Sequence, residues 1–328
     1  MKKFKLSLLF GTTCFALPLM ALAAPMASCA PDNTSAPVQT VEVTQPVEVS
    51  QPVIVAQPSV AVQPTQTSQI VEAQTPVRVA ASQAPVQVAA APTPTSQWNN
   101  LLSKYVAPPD ANGIARFNYG VLRANAADYR VLTDYIAYLG RIDPNALSDR
   151  EAIAYWANLY NVVTVDLIVQ NYPLKSIKKA KTYNGSKVGG FLGPWKKVET
   201  RVNGQTVKLD AIEHEILRVR YPSPHVHYMV NCASIGCPNL KDGVWRAETL
   251  EQDREAAARA FINSPRGVRI TPKGLVVSSI FNWFKDDFGG SNDRVVAHLR
   301  QFAGPELAAA IDAGAQIVGH DYDWSLNE

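Results

Sequence analysis

Cysteine is scarce in this chain of 328 residues, which contains only four, and their spacing does not match that of structural zinc sites. The charges are nearly balanced, with 31 basic and 28 acidic residues and a net charge of +3, so no nucleic-acid partner is predicted. No glycine-rich phosphate loop follows a predicted strand, and no Gly-x-Ser-x-Gly motif is present. The sequence therefore predicts no cofactor and no metal ion, which leaves the cysteines as the candidates for chemistry.

A secretory signal is predicted over residues 1–29, because three lysines precede an apolar run at 6–24 that ends in small residues. Cleavage after Ala23 would release a soluble protein. Cleavage before Cys29 would leave a lipidated cysteine, since Met26-Ala27-Ser28-Cys29 resembles a bacterial lipoprotein box. Lipidation would also remove the odd thiol, because the mature chain otherwise keeps Cys29, Cys232 and Cys237 in an oxidising compartment. We expect a periplasmic or cell-envelope protein of a bacterium, attached to the outer membrane in its lipoprotein form.

Residues 30–97 have the composition of a disordered linker. The stretch 30–96 contains ten prolines, no glycine and no aromatic residue, and Gln-Pro-Val units recur along it. Such a segment cannot bury enough apolar surface to offset the entropy that ordering would cost. Polyproline II geometry, at about 3.1 Å per residue, would let it hold a folded domain on the order of 100 Å from an anchor.

Residues 98–328 contain all six tryptophans and are predicted to form a single domain of the α+β class, rich in helices with short antiparallel hairpins. Ser148-Asp149-Arg150-Glu151 is a capping box, and apolar residues follow at helical spacing until Tyr172-Pro173. Asn203-Gly204 lies between two alternating segments and predicts a two-residue hairpin. A capping box at Asp210-Ala211-Ile212-Glu213 predicts another helix to Arg218. Further helices are predicted at 247–263, 280–288, 294–302 and 306–313, a hairpin at 268–279, and a strand at 316–318.

A run of basic residues lies between Lys175 and Arg201 and is relieved only by Glu199. Such a run is ordinarily a solvated face. Its functional interpretation is a site for an anionic ligand, such as a glycan or a lipid headgroup.

The segment His225–Pro238 holds both cysteines of the predicted domain and two histidines. Cys232 follows an apolar run and enters a turn of small residues, a setting typical of nucleophilic thiols, and a neighbouring base would generate its thiolate. His227 is the first candidate, although in a strand it would share a face with residues 229 and 231, so the chain has to bend for it to reach Cys232. The alternative bases and the groups that could orient the imidazole are His214, His320, Asn158, Asn161 and Glu213.

Interpretations without a catalytic role compete with the hypothesis of a nucleophilic thiol. The compartment favours a disulfide between Cys232 and Cys237, which the four-residue gap permits if the two Cα atoms come within about 7 Å. Zinc held by the two histidines and two cysteines of the segment is disfavoured by their spacing. Asn158 and Asn161 could equally satisfy buried backbone, and Glu213 fits its capping box.

Several motifs together resemble the family called domain of unknown function 547. The motifs are Tyr155–Asn161, Leu209–Arg218, His227–Pro238, Phe281–Phe284 with Asp287-Phe288, and Tyr322–Asn327. The resemblance covers nearly the whole predicted domain and implies an α+β fold in which the Asn-rich helix, the Glu-His helix and the cysteine segment meet. The domain also resembles, more distantly, papain-like and transglutaminase-like hydrolases. Those enzymes place the cysteine first, at the start of the core helix, whereas the core helix of this chain offers Asn158 and the thiol comes after the helix, so their triad is not carried over.

Two functional classes are therefore predicted. The first is a cell-envelope hydrolase or acyltransferase, and its predicted catalytic residues are Cys232, His227, Asn158 and Glu213. The second is a non-catalytic envelope module for binding or structure, with a Cys232–Cys237 disulfide. In that module the aromatic residues form a binding groove or merely core, and they are Trp283, Phe284, Tyr322 and Trp324.

Overall fold

The computed structural model describes residues 91–190 and 193–328, so the predicted signal and the predicted linker up to residue 90 lie outside the described residues. Helix α1, Pro94–Tyr105, begins with Thr93 as its N-cap, whose side chain accepts a hydrogen bond from the Ser96 amide. Residues 94–97 therefore belong to a helix and not to a linker. Proline is compatible with this position because the first turn of a helix leaves its N–H groups without partners in any case.

Helix α4, Asp149–Asn171, is the central element, and it packs against α2, Tyr119–Ala124, and α3, Ala126–Leu139. The predicted capping box begins the helix, since the Ser148 amide donates to Glu151 Oε2 at 2.9 Å. By length and composition α4 could cross a membrane, but 94% of its most apolar window is buried inside the domain. It is the core helix that the sequence predicted.

Two short hairpins follow α4. The first joins β1, Thr182–Tyr183, to β2, Ser186–Lys187. The second joins β3, Glu199–Val202, to β4, Gln205–Lys208, and confirms the hairpin predicted at Asn203-Gly204. Both turn residues have positive φ, 47° and 76°, which a type I′ turn requires and which asparagine and glycine tolerate best.

The next helix is continuous over 209–220 but changes its winding. It consists of α5, Leu209–Ala211, a π-helical segment, Ile212–Leu217, and α6, Arg218–Arg220. The N-cap is Lys208, so the prediction that Asp210 caps this helix is wrong, and Asp210 lies within the first turn. π-Helical turns are frequent at functional sites.

The second half of the domain is built on a three-stranded sheet of order β5-β6-β7. Its strands are Val268–Thr271, Gly274–Ser278 and Ile317–Asp321. The predicted β5–β6 hairpin is confirmed, whereas β7 pairs with β6 in parallel, so the sheet is mixed. The helices of this half are α7, Val226–Met229; α8, Leu250–Ile262; α9, Ile280–Trp283; α10, Asn292–Phe302; and α11, Pro305–Asp312. Helix-rich architecture with small sheets confirms the α+β class.

The segment through His227 differs from the prediction, because residues 226–229 form α7 and not a strand. A continuous apolar run does not distinguish a strand from a buried helical turn by its periodicity. Here Ser223 and Pro224 precede the segment, and their carbonyls accept the amides of Val226 and His227 at 3.3 Å each, which starts a helical turn.

The chain returns across the domain after β7, in a segment over residues 322–328. The Tyr119 hydroxyl donates to Asn327 Oδ1 at 2.8 Å, and the Phe117 amide donates to the Asn327 carbonyl at 2.9 Å. The Leu326 amide donates to the carbonyl of Lys175 at 2.9 Å. This C-terminal segment therefore links the region between α1 and α2 to the loop after α4.

Candidate functional site: an aromatic cleft with a disulfide in its wall

A cavity of about 240 Å³ opens beside the cysteine segment. The lining side chains come from α4, the loop before β3, α5 and the π helix, α7 and the cysteine loop that follows it, α9 and the residue after it, and the C-terminal segment. They are Tyr160, Trp195, Asp210, Glu213, His214, His227, Val230, Cys232, Cys237, Pro238, Ile280, Trp283, Phe284, Tyr322 and Trp324. Three of the four predicted catalytic residues, Cys232, His227 and Glu213, are thus brought to one cavity, and Asn158 is not among its lining residues.

The two cysteines form a disulfide, which confirms the pairing predicted as the alternative to a free thiol. Their Cα atoms are 6.3 Å apart, within the usual range for a disulfide. Ala233 has φ of 57°, a left-handed conformation that reverses the chain between them. The Tyr322 hydroxyl lies 3.1 Å from each sulfur and 2.8 Å from Ser234 Oγ. Cys232 is therefore not a thiolate in this structure, and nucleophilic attack by its sulfur would require prior reduction of the disulfide.

His227 is held by a carboxylate that the sequence-based reasoning did not assign. Its Nε2 lies 2.6 Å from Asp287 Oδ2, and its ring stacks on Phe284 with the centroids 4.4 Å apart. Asp287 also accepts two hydrogen bonds from Arg218, from Nε at 2.5 Å and from Nη2 at 3.0 Å. The group that orients the imidazole is thus Asp287, in place of Asn158 or Glu213. Asp287 was visible only as part of a family motif with no role attached.

The charge state of Asp287 follows from these contacts. Burial alone would raise the pKa of its carboxyl, but the hydrogen bonds and charges of His227 and Arg218 outweigh burial and hold that pKa well below its usual range. Arg218 continues the network, because its Nη1 lies 3.3 Å from His214 Nδ1, and His214 Nε2 lies 3.8 Å from Asp210 Oδ1. One side of the cavity is therefore a chain of polar groups around an ionised aspartate.

Glu213 lies on the π helix and faces the cavity beside Tyr160. Burial raises the pKa of the Tyr160 hydroxyl, and the charge of Glu213 and its hydrogen bonding raise that pKa further. Burial also raises the pKa of the Tyr322 hydroxyl, and the charge of Glu213 adds a smaller increase. Two tyrosine hydroxyls on the cavity wall thus remain protonated donors near one carboxylate.

The two asparagines of α4 satisfy buried backbone. Asn158 bonds both main-chain groups of Trp245, donating to its carbonyl and accepting from its amide at 2.9 Å each. Asn161 donates to the Met229 carbonyl at 2.9 Å and accepts from the Asn231 amide at 2.8 Å. Both amides fix the chain on either side of the cysteine loop, and neither contacts an imidazole within the described residues.

The remaining histidines do not line the cavity. His225 Nδ1 lies 3.2 Å from Ser223 Oγ, and His298 Nε2 lies 2.8 Å from the Tyr228 hydroxyl. His320 is on β7. Across residues 91–190 and 193–328, no group of three or more His, Cys, Asp or Glu side chains is arranged to hold a metal ion.

Part of the cavity wall is aromatic. Trp283, Tyr322 and Trp324 contact one another, with ring centroids 4.6 to 5.7 Å apart. Trp195 extends this wall, since its ring lies 5.9 Å from that of Trp324. Trp283 remains 47% exposed, which is unusual for so large an apolar side chain beside a cavity. We call these four side chains the aromatic wall.

Fold and cavity together define an α+β protein with a cleft formed by aromatic side chains, carboxylates and a disulfide. Residues 144–262 match the model of the family described as "Protein of unknown function, DUF547". The predicted resemblance to that family is therefore confirmed over this segment, which contains α4, the π helix and the disulfide loop. Asp287 and much of the aromatic wall lie beyond it. No curated protein and no solved structure matches the chain.

Proposed function

We propose that this protein is an exported, non-catalytic binding module of the bacterial cell envelope, whose cleft binds an envelope component through the aromatic wall. The observation that carries this proposal is the combination of a disulfide at Cys232–Cys237 with an aromatic wall that stays partly exposed. A cavity with apolar walls and a few convergent polar groups is the usual form of a ligand site. With both sulfurs bonded to each other, the cleft offers surface for binding and no thiol nucleophile.

The export and the anchor belong to the same proposal. The basic and apolar residues at 1–24 supply a secretory signal, and Cys29 supplies the lipid attachment that places the domain at the outer membrane. Metabolic labelling with a palmitate analogue tests the anchor. Label on the wild type and none on Cys29→Ser supports it, and label retained by Cys29→Ser contradicts it.

Calorimetric titration of the purified domain with a muramidase digest of bacterial cell wall tests the binding function. Saturable heat is expected with the wild type and with Val219→Ala, which removes an exposed apolar side chain on α6 that does not line the cavity. Trp283→Ala should weaken binding about tenfold, because a stacking aromatic contributes on the order of 1 kcal/mol or more. Equal binding by Trp283→Ala, or no saturable heat, would contradict the proposal.

A second candidate function, a thiol-dependent hydrolase or acyltransferase, is favoured by the bond between His227 and Asp287. A base oriented by a carboxylate, in the same cavity as a cysteine, has the layout of a catalytic triad. A dithiol donor would first reduce the disulfide, becoming a disulfide itself and leaving two thiols. His227 would take the proton of Cys232, and the thiolate would attack an acyl carbonyl. The leaving alcohol or amine would take that proton, and water or an acceptor hydroxyl would then cleave the thioester.

Cys237→Ala separates this candidate from the first, since it leaves Cys232 as a permanent thiol. Rapid alkylation of Cys232 at neutral pH, slowed at least about tenfold by His227→Ala, is expected if His227 lowers the barrier to thiolate formation. Alkylation no faster than that of an ordinary cysteine peptide would contradict it. Cys232→Ala is the control for labelling at other positions.

The basic run between Lys175 and Arg201 supports a separate proposal, which is that this part of the protein surface binds an anionic partner. Its lysines and Arg201 are solvent-exposed, and within the described residues none forms an ion pair with a carboxylate. Co-sedimentation with vesicles that contain anionic lipid tests it. Binding that falls as salt rises and is lost on Lys179→Glu with Lys181→Glu supports the proposal, and equal binding to neutral vesicles contradicts it.

A further inference from the structure

Glu213 lacks a cationic partner in the cleft. No lysine or arginine of the described residues lies within 4.0 Å of its carboxylate, although the cavity beside it is lined largely by aromatic rings. The nearby Arg218 is already bound through two hydrogen bonds to Asp287. A partly buried carboxylate that has no ion-pair partner is stabilised by a cation supplied from outside.

The aromatic side chains of the cleft already accept cations from this chain. Lys178 Nζ lies 3.6 Å from the ring centroid of Trp324, and the guanidinium carbon of Arg218 lies 4.7 Å from that of Phe284. Both distances are within the range in which the negative face of an aromatic ring attracts a positive charge. Trp283 and Tyr322 line the same cavity and have no cation placed over their rings within the described residues.

A carboxylate and aromatic rings that line the same cavity supply the two kinds of group that attract an ammonium ion. We propose that the cleft selects a ligand with a primary ammonium group on a short apolar stem, as in a lysine side chain, and that the charge is bound between Glu213 and the rings of Trp283 and Tyr322. This inference rests on the proposed binding function and names its ligand class.

The test is calorimetric titration of the oxidised domain at neutral pH and low salt with three probes. The first is Nα-acetyl-lysine methylamide, which is charged at this pH, and the second is its Nε-acetylated form, in which a neutral amide replaces the ammonium group. The third is the tetramer of N-acetylglucosamine, a neutral ligand with apolar ring faces. We expect saturable binding of the first probe and at least about tenfold weaker binding of the second.

Two variants localise the effect. Glu213→Gln keeps the size of the side chain and an oxygen acceptor. It should weaken binding of the charged probe about tenfold without changing the unfolding temperature. Glu215→Gln, an exposed position on the same helix outside the cavity, should leave binding unchanged. Equal affinity for the charged and the acetylated probe, or no effect of Glu213→Gln, would overturn the inference. Binding of the neutral tetramer alone would also overturn it while leaving the proposed binding function intact, and failure of all three probes and of the cell-wall digest would remove both.

Discussion

Replacing Asp287 by asparagine should destabilise the domain more than any other single change of charge at the cleft. The substitution keeps the size of the side chain but removes the charge that accepts two hydrogen bonds from Arg218 and one from His227. Hydrogen bonds to charged groups contribute about 1.5–3 kcal/mol, and breaking a fully buried ion pair costs about 3–5 kcal/mol. The Asp287 side chain is 21% exposed, so solvent screening reduces these values, and we expect a loss of about 3 kcal/mol.

Thermal and urea unfolding of the purified domain measure this loss. For a domain of this size about 3 kcal/mol corresponds to a fall of about 6–12 °C in the unfolding temperature. Asp286→Asn is the matched control, because Asp286 is the exposed neighbour in the same turn and makes no ion pair within the described residues. It should change stability by no more than about 0.5 kcal/mol.

The pH dependence gives a sharper test of the same reasoning. The pKa of Asp287 is lower in the folded domain than in an unfolded chain, so its contribution is complete above about pH 4. It declines as pH falls below that value, because the unfolded carboxylate takes up a proton first. The advantage of wild type over Asp287→Asn should therefore shrink in acid. A constant difference down to the lowest pH at which the domain stays folded, or equal stability at pH 7, would refute the role assigned to this ion pair.

Three further results are expected. Burial, with smaller effects of His225 and His227, lowers the pKa of His298 from 6.5 to about 4. The unfolded state therefore binds the proton first, and the free energy of unfolding should fall by about 3 kcal/mol from pH 6.5 to pH 4. His298→Gln should flatten that pH dependence, and an unchanged slope would contradict the assignment. Asn158→Ala should lower the free energy of unfolding in urea by about 3 kcal/mol, because two backbone groups of Trp245 lose their partner. The ligand affinity of the folded fraction should not change, and a loss of affinity at unchanged stability would indicate a role in the cleft. Reductant should lower the free energy of unfolding by about 2 kcal/mol, which is the value expected for so short a disulfide loop. It should have no effect on a variant with serine at both cysteine positions. Equal sensitivity of the two proteins to reductant would show that the disulfide is not the cause of the effect.

Local patterns determined which parts of the fold could be predicted. The capping box at Ser148 and the break at Tyr172-Pro173 identified α4, because both signals act within a few residues of the helix ends. The hairpin at Asn203-Gly204 was equally local, since the turn alone requires those residues. The helix of 226–229 was not predicted, because four residues are too few to show a helical period.

The site depended on contacts that sequence patterns do not show. Asp287 is 60 residues away from His227 in the chain, and no local feature indicates that the two side chains meet. The cysteine pair could be predicted as a disulfide because five positions separate its members and the sequence predicts export to an oxidising compartment. Glu213 was predicted as a group that could orient an imidazole, whereas in the structure Asp287 contacts His227 and Glu213 lines the cavity from the π helix.

The C-terminal segment has a consequence for how the protein matures. Tyr322 and Trp324 belong to the aromatic wall, and Asn327 bonds to the start of the domain through Tyr119. Synthesis delivers the chain from its amino end, so the cavity stays open on one side until residues 322–324 have been added. If the proposed binding function holds, a chain that ends before residue 322 should bind no ligand, because its aromatic wall is incomplete.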